Sequence, residues 1–545
     1  MEMKSSKIQF IKENILLLLL ILTTTFYSFS QNEFPYSVAI EAVNLSGIPA
    51  LHSFAVAQHE NKWLLIGGRK DGLHARQPFA AFPASHNNTD LYVIDIEQQH
   101  VWSASVNTLP TGIKEQLQAT NMNFHQDGDT LYIIGGYAYS ATANNWITFP
   151  AITSVTVSSA IDAIINGTSL QSAFKQSTNE IFAVTGGYLG KIENSFFLIG
   201  GHRFDGRYNP MGGATYTQQY TNQIQKFQLS NSGTSPIYSN YSAFTDPVHL
   251  RRRDYNLLPQ IFPDGQEGYT ISAGVFQSGS DLPFLYPVDI KSGGYTPRTE
   301  FNQYLSHYHS AKVILFDSIN SENHSLFFGG MSQYYYENGA LIQDNLVPFV
   351  NTISRLTRHE DNSFTEYQLP VSMPGFRGSS AEFIINTNLP HFSSGLIKLN
   401  EIEQDTILLG YILGGIYSPS LNPFANNQTN TTSADPSLFA VYLYKDVVSA
   451  VQAIDGNSPY RIRILPNPVK DFINIAVAGK EAAEIRYFLN DMQGKIVSQG
   501  RIEPNGAGFQ TYRIALNEAI KPQVISLTLV FDNKYYHTEK VIVIR

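Results

Sequence analysis

The 545-residue sequence contains no cysteine. That excludes disulfides, thiolate metal sites and a thiol nucleophile, so packing alone must hold the folded parts together. Charge is sparse as well: 15% of residues are Asp, Glu, Lys or Arg, and the formal net charge is −9. No long basic run occurs, and Arg251-Arg252-Arg253 is too short to neutralise many phosphates. Nucleic-acid binding therefore lacks an electrostatic basis. Gly-x-Ser-x-Gly, His-Glu-x-x-His and phosphate-loop patterns are missing too. Against these absences stand 39 Gly, 26 Pro, 31 Tyr and 34 Phe, the profile of a turn-rich, aromatic-rich all-β chain. At this length two or more domains are expected.

The one long apolar run lies at residues 15–22, behind Lys4, Lys7 and Lys12 and ahead of Ser28-Phe-Ser30. This order predicts a signal peptide over residues 1–30, cleaved after Ser30 to leave Gln31 first. The run is much shorter than the roughly 20 residues that span a bilayer, so no transmembrane segment is expected in the mature chain.

An internal repeat dominates residues 36–446. An apolar strand ending in two glycines recurs as Trp63-Leu-Leu-Ile-Gly-Gly68, Leu131-Tyr-Ile-Ile-Gly-Gly136, Phe196-Phe-Leu-Ile-Gly-Gly201, Leu326-Phe-Phe-Gly-Gly330 and Tyr411-Ile-Leu-Gly-Gly415. A sixth copy, Tyr269-Thr-Ile-Ser-Ala-Gly274, carries Ala273 in place of the first glycine. The final glycines are spaced by 68, 65, 73, 56 and 85 residues. Each copy follows a hairpin partner such as 52–57 and precedes an alternating strand such as 90–95, 223–228 or 438–444. Four short strands cannot bury both faces alone, so neighbouring sheets must pack face to face around an axis. Glycine ends the second strand because backbones approach closely there and the exit turn needs positive φ. The unpaired strand candidate at 36–43 is expected to pair into the last unit and close the ring.

These diglycine strands, upstream hairpins and downstream aromatic alternation resemble the kelch-repeat family. The family's outer-strand tryptophan is recognisable only at Trp102. The resemblance implies a six-bladed kelch-like β-propeller over residues 31–450. After a linker at 451–462 the periodicity changes. Ile464-Leu-Pro-Asn-Pro468 leads into an alternating strand, and about seven short strands over the last stretch suggest a small β-sandwich (Ig-like) at 463–545. Pro466, Asn467 and Pro468, the turn from Asp491 to Gly494 and the terminal Arg545 resemble the type A sorting domain of the type IX secretion system of the Bacteroidetes lineage. In place of that family's usual Gly-x-Tyr stands Pro522-Gln-Val. The resemblance implies type IX machinery as a partner and an extracellular or outer-membrane location. A carbohydrate- or protein-binding sandwich module is the alternative for the tail.

Strand parity places five long second-to-third-strand insertions, about 69–89, 137–151, 202–222, 331–350 and 416–437, on one face with the connections between units. Loops grouped on a rigid ring are where ligand groups belong. The candidates are Arg69, His202, Arg203, Arg252, Tyr334, Tyr335, Tyr336 and Arg377: tyrosine faces stack on sugars or cover apolar partner surface, and guanidinium forks pair with carboxylates. In the triplet, Arg251 and Arg253 should face opposite to Arg252. His307-Tyr-His309 would aim both imidazoles one way in a strand, yet no third metal ligand is apparent. No cofactor is expected. Copper-radical oxidases of the galactose-oxidase kind need a cysteine and are excluded, whereas sialic-acid mutarotases, which are kelch-like and need neither cysteine nor metal, are the enzymatic alternative. The leading expectation is a non-catalytic binding protein for a glycan or protein ligand.

Overall fold

The structure is a computed structural model that describes residues 34–445 and 460–544, apart from 214, 232, 234, 338–339, 465–466, 481, 492–494, 505, 507, 519 and 533–534. The signal-peptide region, most of the linker, Pro466, Gly494 and Arg545 lie outside the described residues.

The chain is all-β, as the composition predicts. From Ala55 onward it forms successive sheets, each built of four antiparallel strands paired in neighbouring order, with a short parallel strand, Ile397–Lys398, added to the sheet that starts at Ala311. Sheet I is the simplest: Ala55–His59, Lys62–Ile66, Asp90–Asp95 and His100–Ser105. Sheets II to V start at Asn123–Asp127, Tyr188–Ile192, Asn256–Ile261 and Ala311–Asp317. Sheet VI begins at Glu382–Ile385 and ends with a strand from the other end of the repeat region. Tyr36–Ala42 pairs antiparallel with Leu438–Lys445, Tyr36 opposite Lys445 and Ala42 opposite Phe439. The closing strand is the one the sequence left unpaired.

Packing carries the closure as well. Separate apolar clusters join I to II, II to III, III to IV, IV to V and V to VI. A further cluster joins VI back to I through Leu51, Phe54, Trp63, Leu413 and Leu438. Near the axis, one residue ahead of each sheet donates its N–H to the carbonyl of the corresponding residue of the preceding unit. Asn121 donates to Ser53, Gly186 to Asn121, Asp254 to Gly186, His309 to Asp254, Ser380 to His309 and Ser53 to Ser380, at 2.8–3.2 Å. This backbone belt satisfies polar groups that would otherwise be stranded at the axis.

The diglycines stitch the ring outside that belt. The second glycine donates to the next unit, as from Gly136 to Val184 O at 3.1 Å and from Gly330 to Arg377 O at 2.8 Å. The first glycine has no room for a side chain: a Cβ at Gly135, where φ is +68°, would lie 1.8 Å from Val184 O. Ala273 takes φ 50° in the fourth copy.

Two features escaped the repeat pattern. A ten-residue helix, Val157–Asn166, covers the flank between sheets I and II, burying Val157, Ala160, Ile161 and Ile164. Four of the five long insertions fold into hairpins, at Tyr137–Ser140 with Asn145–Thr148, His202–Gly206 with Tyr216–Tyr220, Tyr334–Glu337 with Ala340–Gln343, and Ile416–Ser418 with Ser433–Ala434.

The C-terminal unit has seven strands in two sheets, one of three and one of four, around a single apolar core that includes Ile473, Ile475, Leu489, Ile525, Leu527 and Val541. Asn467 fixes the start of this unit: its Nδ2 donates to Lys540 O at 2.8 Å and its Oδ1 accepts from Ile542 N at 2.9 Å. Asp491 Oδ1 accepts from Lys495 N at 2.9 Å.

Candidate functional site

The long-loop face is built from the ends of the diglycine strands outward. The residue after each diglycine starts an excursion, and neighbouring excursions bind one another. Trp146 Nε1 donates to Phe82 O at 2.8 Å, Tyr137 Oη donates to Gly206 O at 2.7 Å, and Phe349 N donates to Leu421 O at 2.9 Å. At the centre His74 meets the rings of Phe82, Tyr208 and Phe424, contributed by three different excursions. Burial pushes the His74 imidazole down to about 4, so it is neutral at pH 7. The insertions form one interlocked layer rather than six separate loops.

Beneath this layer, at the level of the backbone belt, lies a small cavity lined by residues of all six units, among them Ser53, Asn121, Tyr188, Asp254, His309 and Glu382. Its space for water is ≈ 30 Å³, enough for about one molecule. Two polar pairs border it. His309 Nε2 stands 3.2 Å from Glu382 Oε1, and Lys312 Nζ donates to Tyr188 Oη at 2.9 Å. Burial lowers the Lys312 ammonium and raises the Tyr188 phenol. The axis is thus polar but filled.

The residues singled out from the sequence divide sharply. Arg69 is buried and spent: its Nε and Nη2 grip Asp71 at 2.8 and 2.5 Å, and its Nη1 reaches Asn87 Oδ1 at 2.8 Å. Burial raises the Asp71 carboxyl, but hydrogen bonds from His52 and Arg69 outweigh it and hold that carboxyl well below the usual range. Arg252 corrects the expectation of a ligand contact. Fully buried, it lies over the rings of Phe284 and Tyr286 and donates to the carbonyls of His249, Ala273 and Tyr286. Burial without a carboxylate partner pushes its guanidinium down to about 10. His202 is buried, with its Nδ1 accepting from Gln218 at 2.7 Å, and burial holds its imidazole well below the ordinary range.

Arg203 and Arg377 reach the surface already paired. Arg203 binds Asp205 and Glu180, each at 2.6 Å. Arg377 binds the buried Asp435 at 2.9 Å and lies over the Tyr417 ring. The three tyrosines occupy one strand of a hairpin: Tyr334 packs edge-on to Tyr304, Tyr335 is half-buried, and Tyr336 is exposed. The structure therefore brings the tyrosines to one hairpin, but it does not gather the four arginines around a common point.

The alternation expected in the triplet holds. Arg252 turns inward, whereas Arg251 and Arg253 share Tyr220, the first lying 3.9 Å over its ring and the second donating to its hydroxyl at 3.1 Å. Arg253 is also paired to Asp254. The histidine pair behaves differently. Residues 301–309 are not a strand, and Ser306 adopts φ 59°. His307 is accordingly buried against Gln303 O and Gln333 N, while His309 faces Glu382. Their imidazoles do not converge. Among the described residues no group of three His, Asp or Glu side chains is placed to hold a metal ion.

No protein-family model and no curated protein matches the chain. Among solved structures, YjhT is similar at 10% identity with a TM-score of 0.42, over 73% of this chain and 96% of that one. A glycoside hydrolase family 43 arabinoxylan arabinofuranohydrolase from Bacillus subtilis, solved in complex with cellotetraose, is similar at 10% identity with a TM-score of 0.27, over 91% of this chain and 96% of that one. Identity at that level transfers no function.

Sequence reasoning missed the belt and the axial pairs. One signal for the belt was present: Ser53, Asn121 and Gly186 each stand fifteen residues before the second glycine of their unit. Arg76 and the exposed Phe79 and Met211 also went unnoticed, because nothing in their spacing connects loops more than a hundred residues apart.

Proposed function

We propose that the chain is a secreted or surface-displayed binding protein. In this reading its six sheets are the blades of a kelch-like β-propeller at 31–450. Its long-loop face takes a glycan or protein ligand, and its tail at 463–545 is the Ig-like sandwich addressed by type IX secretion machinery. The observation that carries the binding face is where apolar surface stays uncovered. Eleven large apolar side chains are exposed among the described residues, and seven of them lie on this face: Phe79, Met211, Val248, Tyr336, Leu341, Leu346 and Leu421. Concentrated apolar exposure on a rigid scaffold supports an interaction surface. Non-catalytic binding is favoured because the polar axis leaves ≈ 30 Å³, far below the roughly 300 Å³ at which small-molecule pockets begin. A carbohydrate mutarotase would need that room beside its acid and base.

A screen of immobilised glycans and outer-membrane proteins with the full chain and a Tyr334→Ala, Tyr335→Ala, Tyr336→Ala variant tests the reading. The variant is expected to lose binding while staying folded with a modest drop in melting temperature, since Tyr336 is exposed and Tyr334 and Tyr335 are half-buried on a surface hairpin. Equal binding by the variant to every recovered ligand would remove this face from the account. For the tail, a chain ending before Ile464 should accumulate in the periplasm, and normal export of that truncation would dismiss the sorting role.

A further inference from the structure

Twenty-four ion pairs are formed among the described residues, and besides the fully buried Arg252 three arginines of the long-loop face, all partly exposed, belong to none of them: Arg76, Arg207 and Arg251. The chain as a whole is acidic, with a formal net charge of −9. Each of the three sits over an aromatic ring. Arg76 lies 4.9 Å over Phe424, Arg207 4.8 Å over Trp146 and Arg251 3.9 Å over Tyr220. Stacking fixes the plane of a guanidinium and leaves its edge free to donate. Only one further contact holds each of the last two: Arg207 Nε donates to Ala81 O at 2.9 Å, and Arg251 Nη1 to Phe276 O at 2.5 Å. The carboxylates of the excursions that carry Arg76 and Arg207 are committed elsewhere, Asp71 to Arg69 and Asp205 to Arg203, and Asp281 and Glu337 are exposed acids of other loops of this face.

Two of these arginines belong to excursions that meet at an exposed apolar pair. Phe79 is 57% exposed and Met211 is 51% exposed. The loops carrying them are joined by Phe79 N donating to Asn209 Oδ1 at 2.9 Å. The aromatic hub at His74 links this pair to Arg76, because the Phe424 ring under Arg76 also meets His74, which meets Tyr208 beside Arg207. Arginines beside an aromatic and a methionine, with the one lysine of these two excursions, Lys70, already paired to Asp90, is the composition enriched at protein–protein interfaces. An acidic sugar chain would satisfy the arginines but has little use for an exposed methionine.

We propose that the ligand of the long-loop face is a protein, and that it docks an acidic segment carrying apolar side chains onto Arg76, Arg207 and Arg251, with those apolar groups on Phe79 and Met211. This rests on the reading of that face as the binding face and narrows its ligand. Unpaired cations on the receptor call for carboxylates on the partner, which set its approach and register.

The test uses the full chain and four soluble probes: a random copolymer of glutamate and tyrosine, poly-glutamate, alginate as an acidic glycan and dextran as a neutral one. The copolymer is expected to bind at least about fivefold more tightly than poly-glutamate or alginate. Its affinity should fall roughly tenfold in the Arg76→Ala, Arg207→Ala, Arg251→Ala variant, the sum of three modest surface pairings. It should fall also in Phe79→Ser, Met211→Ser, which charge attraction alone does not predict. The three arginines changed to lysine keep charge and fold, and should recover only part of the loss. Alginate binding more tightly than the copolymer, or copolymer binding equal in the alanine variant and the parent, overturns the proposal. Should either occur while ligands from the glycan and protein screen still depend on Tyr334, Tyr335 and Tyr336, this inference falls and the binding face stands. If neither set of substitutions affects any ligand, both fall.

Discussion

At Gly135 one hydrogen in place of a methyl group decides whether two sheets can meet. Its φ of +68° and the 1.8 Å that would separate a Cβ from Val184 O act together. Gly128, in the turn of the same sheet, has φ +59° and nothing within 4 Å of its would-be Cβ. Gly128→Ala should cost only the left-handed strain, about 1–2 kcal/mol. Gly135→Ala should cost at least about 2 kcal/mol more, because backbone rather than a flexible side chain must yield. Denaturant unfolding of both variants measures the difference, and equal costs would show that the stitch is not tight. This is also why the repeat was legible in the sequence: crowding at these positions favours glycine, so it leaves a mark in five of the six units, Ala273 standing at the first-glycine position of the other. Arg252 left no such mark. An arginine that lies over Phe284 and Tyr286 and one that waits for a ligand look alike until the fold brings the rings in.

Among elements, the strand Tyr36–Ala42 shows how alternation can locate a partner far away in the chain. Val38 and Ala39 are buried against sheets V and VI, and Phe34 just before them touches the His324 ring and lies under Arg355. Deleting residues 34–42 exposes the edge of Leu438–Lys445, an eight-residue strand rich in tyrosine and leucine. The truncated protein should melt lower and associate with rising concentration, as unprotected edges do. Sedimentation of the two forms checks this, and a monomeric truncation with unchanged melting would mean that the strand does not close the ring. The hairpins within the insertions were not legible, because short polar stretches with glycine and asparagine fit open loops equally well. The helix Val157–Asn166 was hidden by the repeat itself, which led each unit to be read as strands alone. His307-Tyr-His309 misled for a related reason: period-two logic holds only in a strand, and Ser306 at φ 59° breaks it.

Across the whole molecule, closure without disulfides places many polar groups in the interior, and four histidines among them set the acid limit of the fold. His52, His202, His307 and His324 are buried, and burial lowers each, His307 to about 4 and His324 to about 3. In the unfolded chain they titrate near 6.5. The unfolded state therefore takes up protons first as pH falls below that value, so the stabilisation is present above about pH 6.5 and is lost on the way to pH 4. By pH 5 the loss from His307 and from His324 is about 2 kcal/mol each, and His52 and His202 add to it in the same direction. Glu366 acts in the other direction, since burial raises it to about 8 and its share is lost as pH rises through that value. Melting temperature should peak near neutrality and drop steeply below pH 6, and a flat profile from pH 7 to 5 would contradict the buried, neutral state of these rings.

The same closed ring carries the functional account, because it puts the five long insertions after the diglycines on one face, while the other face carries short hairpin turns together with the 157–173 and 386–405 connections. Hydrogen exchange of the full chain, with and without a ligand recovered from the screen, tests that most directly. The account predicts protection at 69–89, 202–222, 331–350 and 416–437, with the opposite-face turns at 59–62, 127–130, 192–195 and 317–322 unchanged. Protection confined to those turns would contradict it.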